Sequence, residues 1–186
     1  MYTKLSSDAS LIDGCKKQNQ LAQKNLYMKF YSSMLNTCMR YVNNKQDAID
    51  ILNTGFLKVF NSITDYKEEG VLEGWIRKII INTAIDHTRS QRRYYSVMDF
   101  DAIHEEPIDS YLIDSISGDE ILNIIQQLPL ACRQVFSLFF IDDYSHKEIA
   151  NMLNITEAAS KWHLQNAKKQ MKELIKKKMK PLAYAN

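Results

Sequence analysis

Apolar residues recur at helical spacing along several segments of this chain, and polar breaks separate these segments. Residues 11–43 follow one such pattern up to the break at Asn43-Asn44-Lys45. A second helix is predicted from about Asp47 to Asn61, and a third over residues 72–89, after a polar loop at residues 62–70. Helical patterns resume at 119–127 and 133–140, on either side of Leu128-Pro129. The pattern predicts an all-α fold.

Residues 143–169 predict a helix, a tight turn and a second helix. Ser145 and Glu148, three residues later, form the signature of a capping box at the start of the first helix. Asn154 tolerates the left-handed conformation that a tight turn needs, and Thr156 can cap the second helix, which can continue until Pro181. This layout is that of a DNA-reading helix-turn-helix.

The outward face of the second helix has side chains that suit DNA. Glutamine and asparagine amides can pair bidentately with adenine, and lysine reaches phosphates or guanine. The face consists of Ala158, Trp162, Gln165, Asn166 and Lys169, with Lys161 and Lys168 on its shoulder. The alternative is an ordinary amphipathic helix whose outward tryptophan packs on a neighbour. The helix-turn-helix layout favours the DNA interpretation.

Charge is segregated along the 186 residues, although the net charge is only +2. Residues 1–93 carry 14 Lys and Arg against 9 Asp and Glu, residues 94–120 carry none against 8, and residues 121–186 carry 10 against 5. Two basic lobes therefore flank an acidic segment, and basic lobes suit a polyanion. We predict two small helical domains, at 1–95 and 119–186, joined by an acidic linker at 96–118.

The predicted helix at 47–61 has a mixed outward side. Its polar side holds Asp47, Asp50, Thr54, Lys58 and Asn61 and is interrupted by Ile51 and Leu57. Acidic groups beside exposed aliphatic residues resemble a protein-binding face. The alternative is that Ile51 and Leu57 pack on another helix of the same lobe.

The predicted helix at 72–89 has a basic outward stripe of Lys78, Asn82, Ile85 and Arg89, with Arg77 nearby. It leads into the run Ser90-Gln-Arg-Arg-Tyr-Tyr95, which includes Arg92 and Arg93. Cations that track phosphates and aromatic rings that accept bases suit a strand with unstacked bases. The alternative is a solvated helix terminus. His87 is interpreted as a residue at the edge of the core.

The remaining chemistry is sparse. Three cysteines without CxxC spacing and four scattered histidines predict neither a disulfide framework nor a metal site. No cofactor motif, catalytic cluster, signal peptide or membrane span is recognisable, so we expect a cytoplasmic protein that is not an enzyme.

The chain resembles sigma factors of the extracytoplasmic-function (ECF) type, a compact bacterial class. The resemblance extends from about Asp8 to Lys178 and lies in the order and spacing of several strings. These are LIDGC at 11–15, LYMKFY at 26–31, DAID at 47–50 with FLKVF at 56–60, GWIRKI at 74–79 with Asn82 and Asp86, and LP at 128–129 through IA at 149–150.

The resemblance implies a promoter-specificity factor that binds core RNA polymerase. The first lobe would dock on the polymerase clamp helices through Asp47, Asp50, Ile51, Asn53, Thr54 and Leu57. It would also open the −10 element and capture a flipped base at the 66–70 loop, with contacts from Tyr66, Lys67, Arg77, Lys78, Asn82, Arg89, Arg92 and Arg93. Tyr66 would stack on the unpaired base.

By the same resemblance, the second lobe would read the −35 element through Lys161, Trp162, His163, Gln165, Asn166 and Lys169, and its apolar helices would hold the polymerase flap. An anti-sigma factor is a possible further partner. The chain departs from the family at Asn53-Thr54, where Gln-Glu is usual, and at Trp162, where a small polar residue is common. The rival functions are a stand-alone helix-turn-helix regulator and a helical enzyme acting on nucleic acid.

Overall fold

The computed structural model describes residues 7–67, 70–89 and 118–179 of the chain. All regular structure within these ranges is helical, which confirms the all-α prediction. The chain divides into two compact units, Met1–Thr88 and Arg89–Asn186. The predicted acidic linker at 96–118 lies, apart from its last residue, outside the described ranges, so its boundaries stay a prediction.

The first unit contains four α-helices: α1 (Asp8–Lys16), α2 (Gln20–Met39), α3 (Lys45–Ser62) and α4 (Leu72–Thr88), with a short 3-10 helix (Ile63–Asp65) after α3. The continuous helical pattern predicted over 11–43 is broken in the structure. Gln18 has a left-handed backbone (φ 56°) that ends α1, and the Asn19 side chain accepts from the Ala22 amide, 3.0 Å away, to start α2. A new helix can start here because the Asn19 side chain accepts a hydrogen bond from a backbone N–H that has no partner within the first turn of α2.

The core of the first unit lies between α2, α3 and α4. The large buried side chains that these helices contribute include Leu26, Phe30, Met34, Ile51, Leu52, Phe56, Ile76, Ile80 and Ile81. Because α4 packs against both α2 and α3, it buries a wide arc of its surface. Ile85, which was predicted to face outward, is therefore only 2% exposed, whereas His87, predicted at the edge of the core, is exposed.

The second unit contains α5 (Gly118–Gln127), α6 (Leu130–Phe136), a π-helical turn (Ser137–Ile141), α7 (His146–Leu153) and α8 (Glu157–Met179). Helix α8 packs on α5, α6 and α7 through Leu164, Ala167, Met171 and Ile175, which are all buried. At roughly 100° per residue, Leu174 and Ile175 lie on either side of the direction of Met171. Ile175 is buried, whereas Leu174 is only half-buried.

No helix in the described ranges is both long and apolar enough to span a membrane.

We predict opposite effects on stability from the same substitution at two helical glycines. A Cβ at Gly14 would lie 2.5 Å from Cβ of Ala22, so Gly14→Ala should force α1 from α2 and cost about 1–3 kcal/mol, more than the ~1 kcal/mol gained in helix propensity. Gly74 has no atom within 4 Å of that position, so Gly74→Ala should stabilise α4 by about 0.5–1 kcal/mol. Hydrogen exchange of α1 and α4 amides in low urea measures both changes. Slower exchange of α1 amides in Gly14→Ala would contradict the packing argument.

Candidate nucleic-acid interface

The helix-turn-helix is held by local hydrogen bonds at both of its helix starts. The Ser145 side chain accepts from the Glu148 amide (3.3 Å), while the Glu148 carboxylate accepts from the Ser145 amide (2.8 Å), so the predicted capping box is present. Asn154 has the left-handed backbone that was predicted (φ 52°, ψ 51°). The Thr156 hydroxyl accepts from the Ala159 amide at 3.0 Å and caps α8. These contacts place the first turns of α8 beside α7.

The outward face of α8 presents charged and amide side chains. Lys161 and Lys169 are exposed, and Trp162, Gln165 and Asn166 are half-buried. The buried side of the same helix, which includes Ser160 and Leu164, packs into the second unit. The arrangement can offer amide and ammonium groups to base edges and phosphates at the same time.

The structure separates His163 from that face. Its Nδ1 atom lies 3.8 Å from the Sγ atom of Cys132, which is buried in α6, and its ring meets the edge of Trp162 at a centroid distance of 5.0 Å. At roughly 100° per residue, position 163 turns from the face of Trp162 toward the core. His163 therefore packs partly beneath the face, although it is half-buried as Trp162 is, and its role as a base contact stays a prediction.

His146 is a further residue of this region that the sequence patterns did not single out. Its Nδ1 atom lies 2.9 Å from the hydroxyl of Ser160 in α8, and its ring stacks on Phe139 of the π-helical turn at 4.7 Å. Burial, followed by the charge of Lys161, lowers the pKa of His146 below its ordinary value, and Glu157 partly opposes this. His146 thus joins the first helix of the motif to both α8 and the preceding turn.

In the first unit, α4 has one exposed polar stripe. Lys78, Asn82 and Asp86 are exposed along it, and Arg89, which directly follows the last residue of α4, is exposed as well. Arg77 is partly withdrawn from the stripe because it pairs with Glu73 at 2.8 Å. Asp86 lies 3.7 Å from Lys58 of α3, so an acidic group stands among the basic ones. Arg92 and Arg93 lie outside the described residues.

Tyr66 lies at the start of the 66–70 loop, but its ring is not offered to a base. It is only 6% exposed and packs on Trp75 at a centroid distance of 5.1 Å. Its hydroxyl donates to the Gly70 carbonyl at 2.9 Å, and Gly70 has a positive φ of 94°. An amphipathic tyrosine that satisfies both its ring and its hydroxyl in this way is stable when buried, whereas the resemblance implied a ring that stacks on an unpaired base. Lys67 is exposed, as a phosphate contact requires.

The outward face of α3 matches the sequence-based set of residues except at one position. Asp50, Asn53, Thr54 and Leu57 are exposed, and Asp47 is half-buried. Ile51 is 1% exposed, so it packs inside the first unit, as the alternative interpretation held, because α4 covers that side of α3. Leu57 is 63% exposed, which leaves an aliphatic side chain unpacked among polar ones.

Comparisons with known proteins match both units. The family described as Sigma-70 region 2 matches residues 26–94, and the family described as Sigma-70, region 4 matches residues 118–171. The sigma factor SigV of Bacillus subtilis is 28% identical over 132 residues, covering 71% of this chain and 78% of that protein. The ECF sigma-E factor of Escherichia coli is 24% identical over 188 aligned positions, covering 95% and 96% of the two chains.

This chain is a sigma factor of the ECF type. It directs RNA polymerase to start transcription at specific promoters. The match of the first lobe to Sigma-70 region 2 distinguishes it from the rival stand-alone regulator, whose first lobe would be a helical sensor.

Two solved structures have the same fold as this sigma factor. CnrH in complex with the cytosolic domain of CnrY superposes with a TM-score of 0.51 at 16% identity, covering 92% of this chain and 99% of that one. RpoE in complex with the anti-sigma factor NepR from Bartonella quintana gives a TM-score of 0.52 at 16% identity, covering 82% and 96%.

The three cysteines of the sigma factor are buried and unpaired. Burial raises the pKa of Cys38 to about 12 and that of Cys132 to about 11, so both are neutral thiols at physiological pH. In the described ranges, no three His, Cys, Asp or Glu side chains are grouped closely enough to hold a metal ion.

We predict that acid destabilises the second unit of the sigma factor. Burial lowers the pKa of both His146 and His163 in the folded state, so the unfolded chain, whose histidines have a pKa of about 6.5, binds more protons. Stability should therefore be complete above that value and fall as the pH drops below it. Urea unfolding followed by Trp162 fluorescence in a Trp75→Phe background, at pH 7.5 and 5.5, measures the loss.

His163→Gln should reduce this pH dependence, because one of the two groups that must stay neutral is gone. A urea midpoint for the second unit that does not change between the two pH values would contradict the assignment.

Proposed function

We propose that this sigma factor binds core RNA polymerase through its first unit and recognises a bipartite promoter with both units. The −35 element is read by the outward face of α8, and the −10 element is bound by the α4 stripe and the neighbouring 66–70 loop. The observation that carries the proposal is the face of α8, where Gln165 and Asn166 lie between Lys161 and Lys169 on a helix that Thr156 caps and that packs against α7. We expect it to act in the cytoplasm, together with the polymerase.

The proposed polymerase-docking surface is the α3 face formed by Asp47, Asp50, Asn53, Thr54 and Leu57. Exposed Leu57 supplies apolar area, and the carboxylates supply charge for a basic partner surface. The hydroxyl of Tyr27 in α2 donates to the Asn53 side-chain oxygen at 2.8 Å, so this amide is held in one orientation before binding. That preorganisation reduces the side-chain entropy lost on docking.

The proposed −10 surface consists of Lys67, Lys78, Asn82 and Arg89, with Arg77 at its edge and Arg92 and Arg93 in the adjoining stretch. Lysine and arginine would follow the phosphates of a melted strand, and Asn82 would offer an amide to a base. We assign Tyr66 a supporting role: its hydroxyl bond to Gly70 brings the ends of the 66–70 loop together. Half-buried Trp75, on which Tyr66 packs, becomes the aromatic residue nearest to an incoming base.

The second unit would also contact the polymerase flap. Phe140 and Ile141, at the end of the π-helical turn, are 45% and 40% exposed. They supply an apolar patch beside Lys168, whose ammonium lies 5.3 Å from the centre of the Phe140 ring. An anti-sigma partner is a further proposal, supported by the fact that the two solved structures of this fold are complexes, one of them with a named anti-sigma factor.

Core binding tests the docking proposal. Leu57→Ala should weaken binding to core polymerase, because it removes the exposed aliphatic side chain of the face. Leu21→Ala is the matched control, since Leu21 is equally exposed (66%) but lies on α2. Fluorescence anisotropy of labelled sigma factor titrated with core polymerase gives the affinities, and run-off transcription confirms that the holoenzyme is active. Equal affinities for the two variants, or failure of the wild-type chain to bind the core, would contradict the proposal.

The role of Tyr66 is tested by removing its hydroxyl alone. Tyr66→Phe should lower the fraction of open complexes by about two- to tenfold, the value of one neutral hydrogen bond, and Tyr66→Ala should lower it further. Permanganate reactivity of unpaired thymines, measured with saturating holoenzyme, reports the fraction. Tyr31→Phe, which removes a hydroxyl elsewhere in the same unit, should have no effect. A normal Tyr66→Phe beside a defective Tyr66→Ala would instead support base stacking by the ring.

A further inference from the structure

The last turns of α8 extend well beyond the part of the helix that can enter DNA. The helix has 23 residues, so at a rise of about 1.5 Å per residue it is roughly 34 Å long. The major groove of B-DNA is only about 12 Å wide. If Gln165 and Asn166 lie in the groove, Lys172 and Lys176, about 10 and 16 Å further along the helix, belong to turns that extend beyond it.

These last turns continue the base-reading face rather than starting a new one. At roughly 100° per residue, Lys169, Lys172 and Lys176 all fall within about 40° of the direction of Gln165. Lys169 and Lys176 are exposed and Lys172 is half-buried. An adjacent side of the same turns is fixed in the core by Met171 and Ile175, which are 1% and 2% exposed and point about 120° and 80° from the direction of Gln165. The direction of the lysine row is therefore set by packing.

We propose that Lys172 and Lys176, continuing from Lys169, form a phosphate-binding row for duplex DNA that flanks the −35 bases. The inference rests on the proposed role of α8 as the −35 reader and adds a site that reads no base. Ammonium groups on this row would release counterions from the DNA and so supply affinity that does not depend on sequence. Base recognition would stay with the early turns.

The simplest competing explanation is the helix dipole. Lysines near a helix C-terminus are favourable because they lie near its partial negative charge, and this effect does not depend on the side of the helix. Lys177 separates the two explanations. It is exposed, as Lys176 is, and it belongs to the same turn, but it points about 100° away from Lys176. If the row binds phosphates, removing the charge of Lys176 should weaken DNA binding and removing that of Lys177 should not. If the helix dipole explains the lysines, the two substitutions should have the same effect.

The first test compares the salt dependence of DNA binding by three holoenzymes, each assembled from core polymerase and the full-length sigma factor. The probe is a duplex selected from random-sequence DNA by the wild-type holoenzyme, and its affinity is measured by anisotropy over a series of KCl concentrations. Lys176→Ala should reduce the slope of log affinity against log salt by about 0.9, the value for one phosphate contact. Lys177→Ala should keep the wild-type slope. Circular dichroism checks that helicity is equal in all three proteins.

A second measurement locates the phosphate. Single neutral methylphosphonates are placed along both strands on each side of the −35 bases. One of them should weaken binding by the wild-type holoenzyme severalfold while leaving Lys176→Ala unaffected, because the contact is already missing there. Lys177→Ala should respond to this probe as the wild type does.

Three outcomes would overturn the phosphate row. Equal slopes for wild type, Lys176→Ala and Lys177→Ala would mean that the face does not touch DNA in the complex, and the row would then be available to an acidic protein instead. Equal reductions of the salt-dependence slope in Lys176→Ala and Lys177→Ala would indicate that DNA responds to the total positive charge of these turns and not to a directed contact. An identical methylphosphonate profile for wild type and Lys176→Ala would exclude a specific contact. A separate measurement tests whether α8 reads the −35 element at all. If it does not, Gln165→Ala should leave the base preference of the holoenzyme unchanged, whatever the salt-dependence slopes of the lysine variants are.

Discussion

Helices α3 and α4 approach each other at Gly55, where Ile80 fills the space that a side chain on α3 would occupy. A Cβ at Gly55 would collide with the side chain of Ile80, and Ile80 itself is fully buried. This contact fixes the rotation of both helices about their axes. With Ile80 inward, Lys78 and Asn82 are left on the surface of α4, and with Gly55 inward, Leu57 is left on the surface of α3. The two proposed binding surfaces of the first unit therefore depend on one close contact between helices.

In the second unit, polar contacts fix the positions of the helices that carry the proposed binding surface. The capping box of Ser145 and Glu148 sets where α7 begins, and His146 then reaches Ser160 of α8 and stacks on Phe139. The π-helical turn brings Phe139 to this place, and such turns are rare and often occur at functional sites. A helix-turn-helix reads DNA only if its second helix is held at a defined angle. A neutral histidine between the turn and α8 helps to hold it.

The proposed surfaces divide affinity from specificity. Amide groups on α8 would distinguish bases, while lysines on the same helix would bind phosphates of any sequence. Two proposed contacts joined on one polymerase would act at a high effective concentration, so that the second would form readily once the first is made. An exposed docking face on α3 is consistent with a factor that recognises promoters while it is part of a larger enzyme.

Local chemistry was readable directly from the amino-acid sequence. The all-α class follows from helical periodicity, and the capping box, the left-handed Asn154 and the Thr156 cap were all predicted, because each depends on residues within three or four positions of one another. The polar face of α8 could also be recognised, since the apolar side of an amphipathic helix faces the core and the opposite side is then left to solvent or a ligand. The resemblance to ECF sigma factors came from the order of short strings along the whole chain.

Contacts between distant segments could not be predicted in this way. Ile51 and Ile85 lie on helix faces that periodicity alone assigns to solvent, but α4 packs against two neighbours and a wider arc is buried. Tyr66 was expected to stack on an unpaired base, yet its ring packs on Trp75 and its hydroxyl donates to the Gly70 carbonyl. His163 lies near Cys132 of another helix. Periodicity describes one helix at a time. Which of its faces are covered, and by what, is decided only when the other helices pack against it.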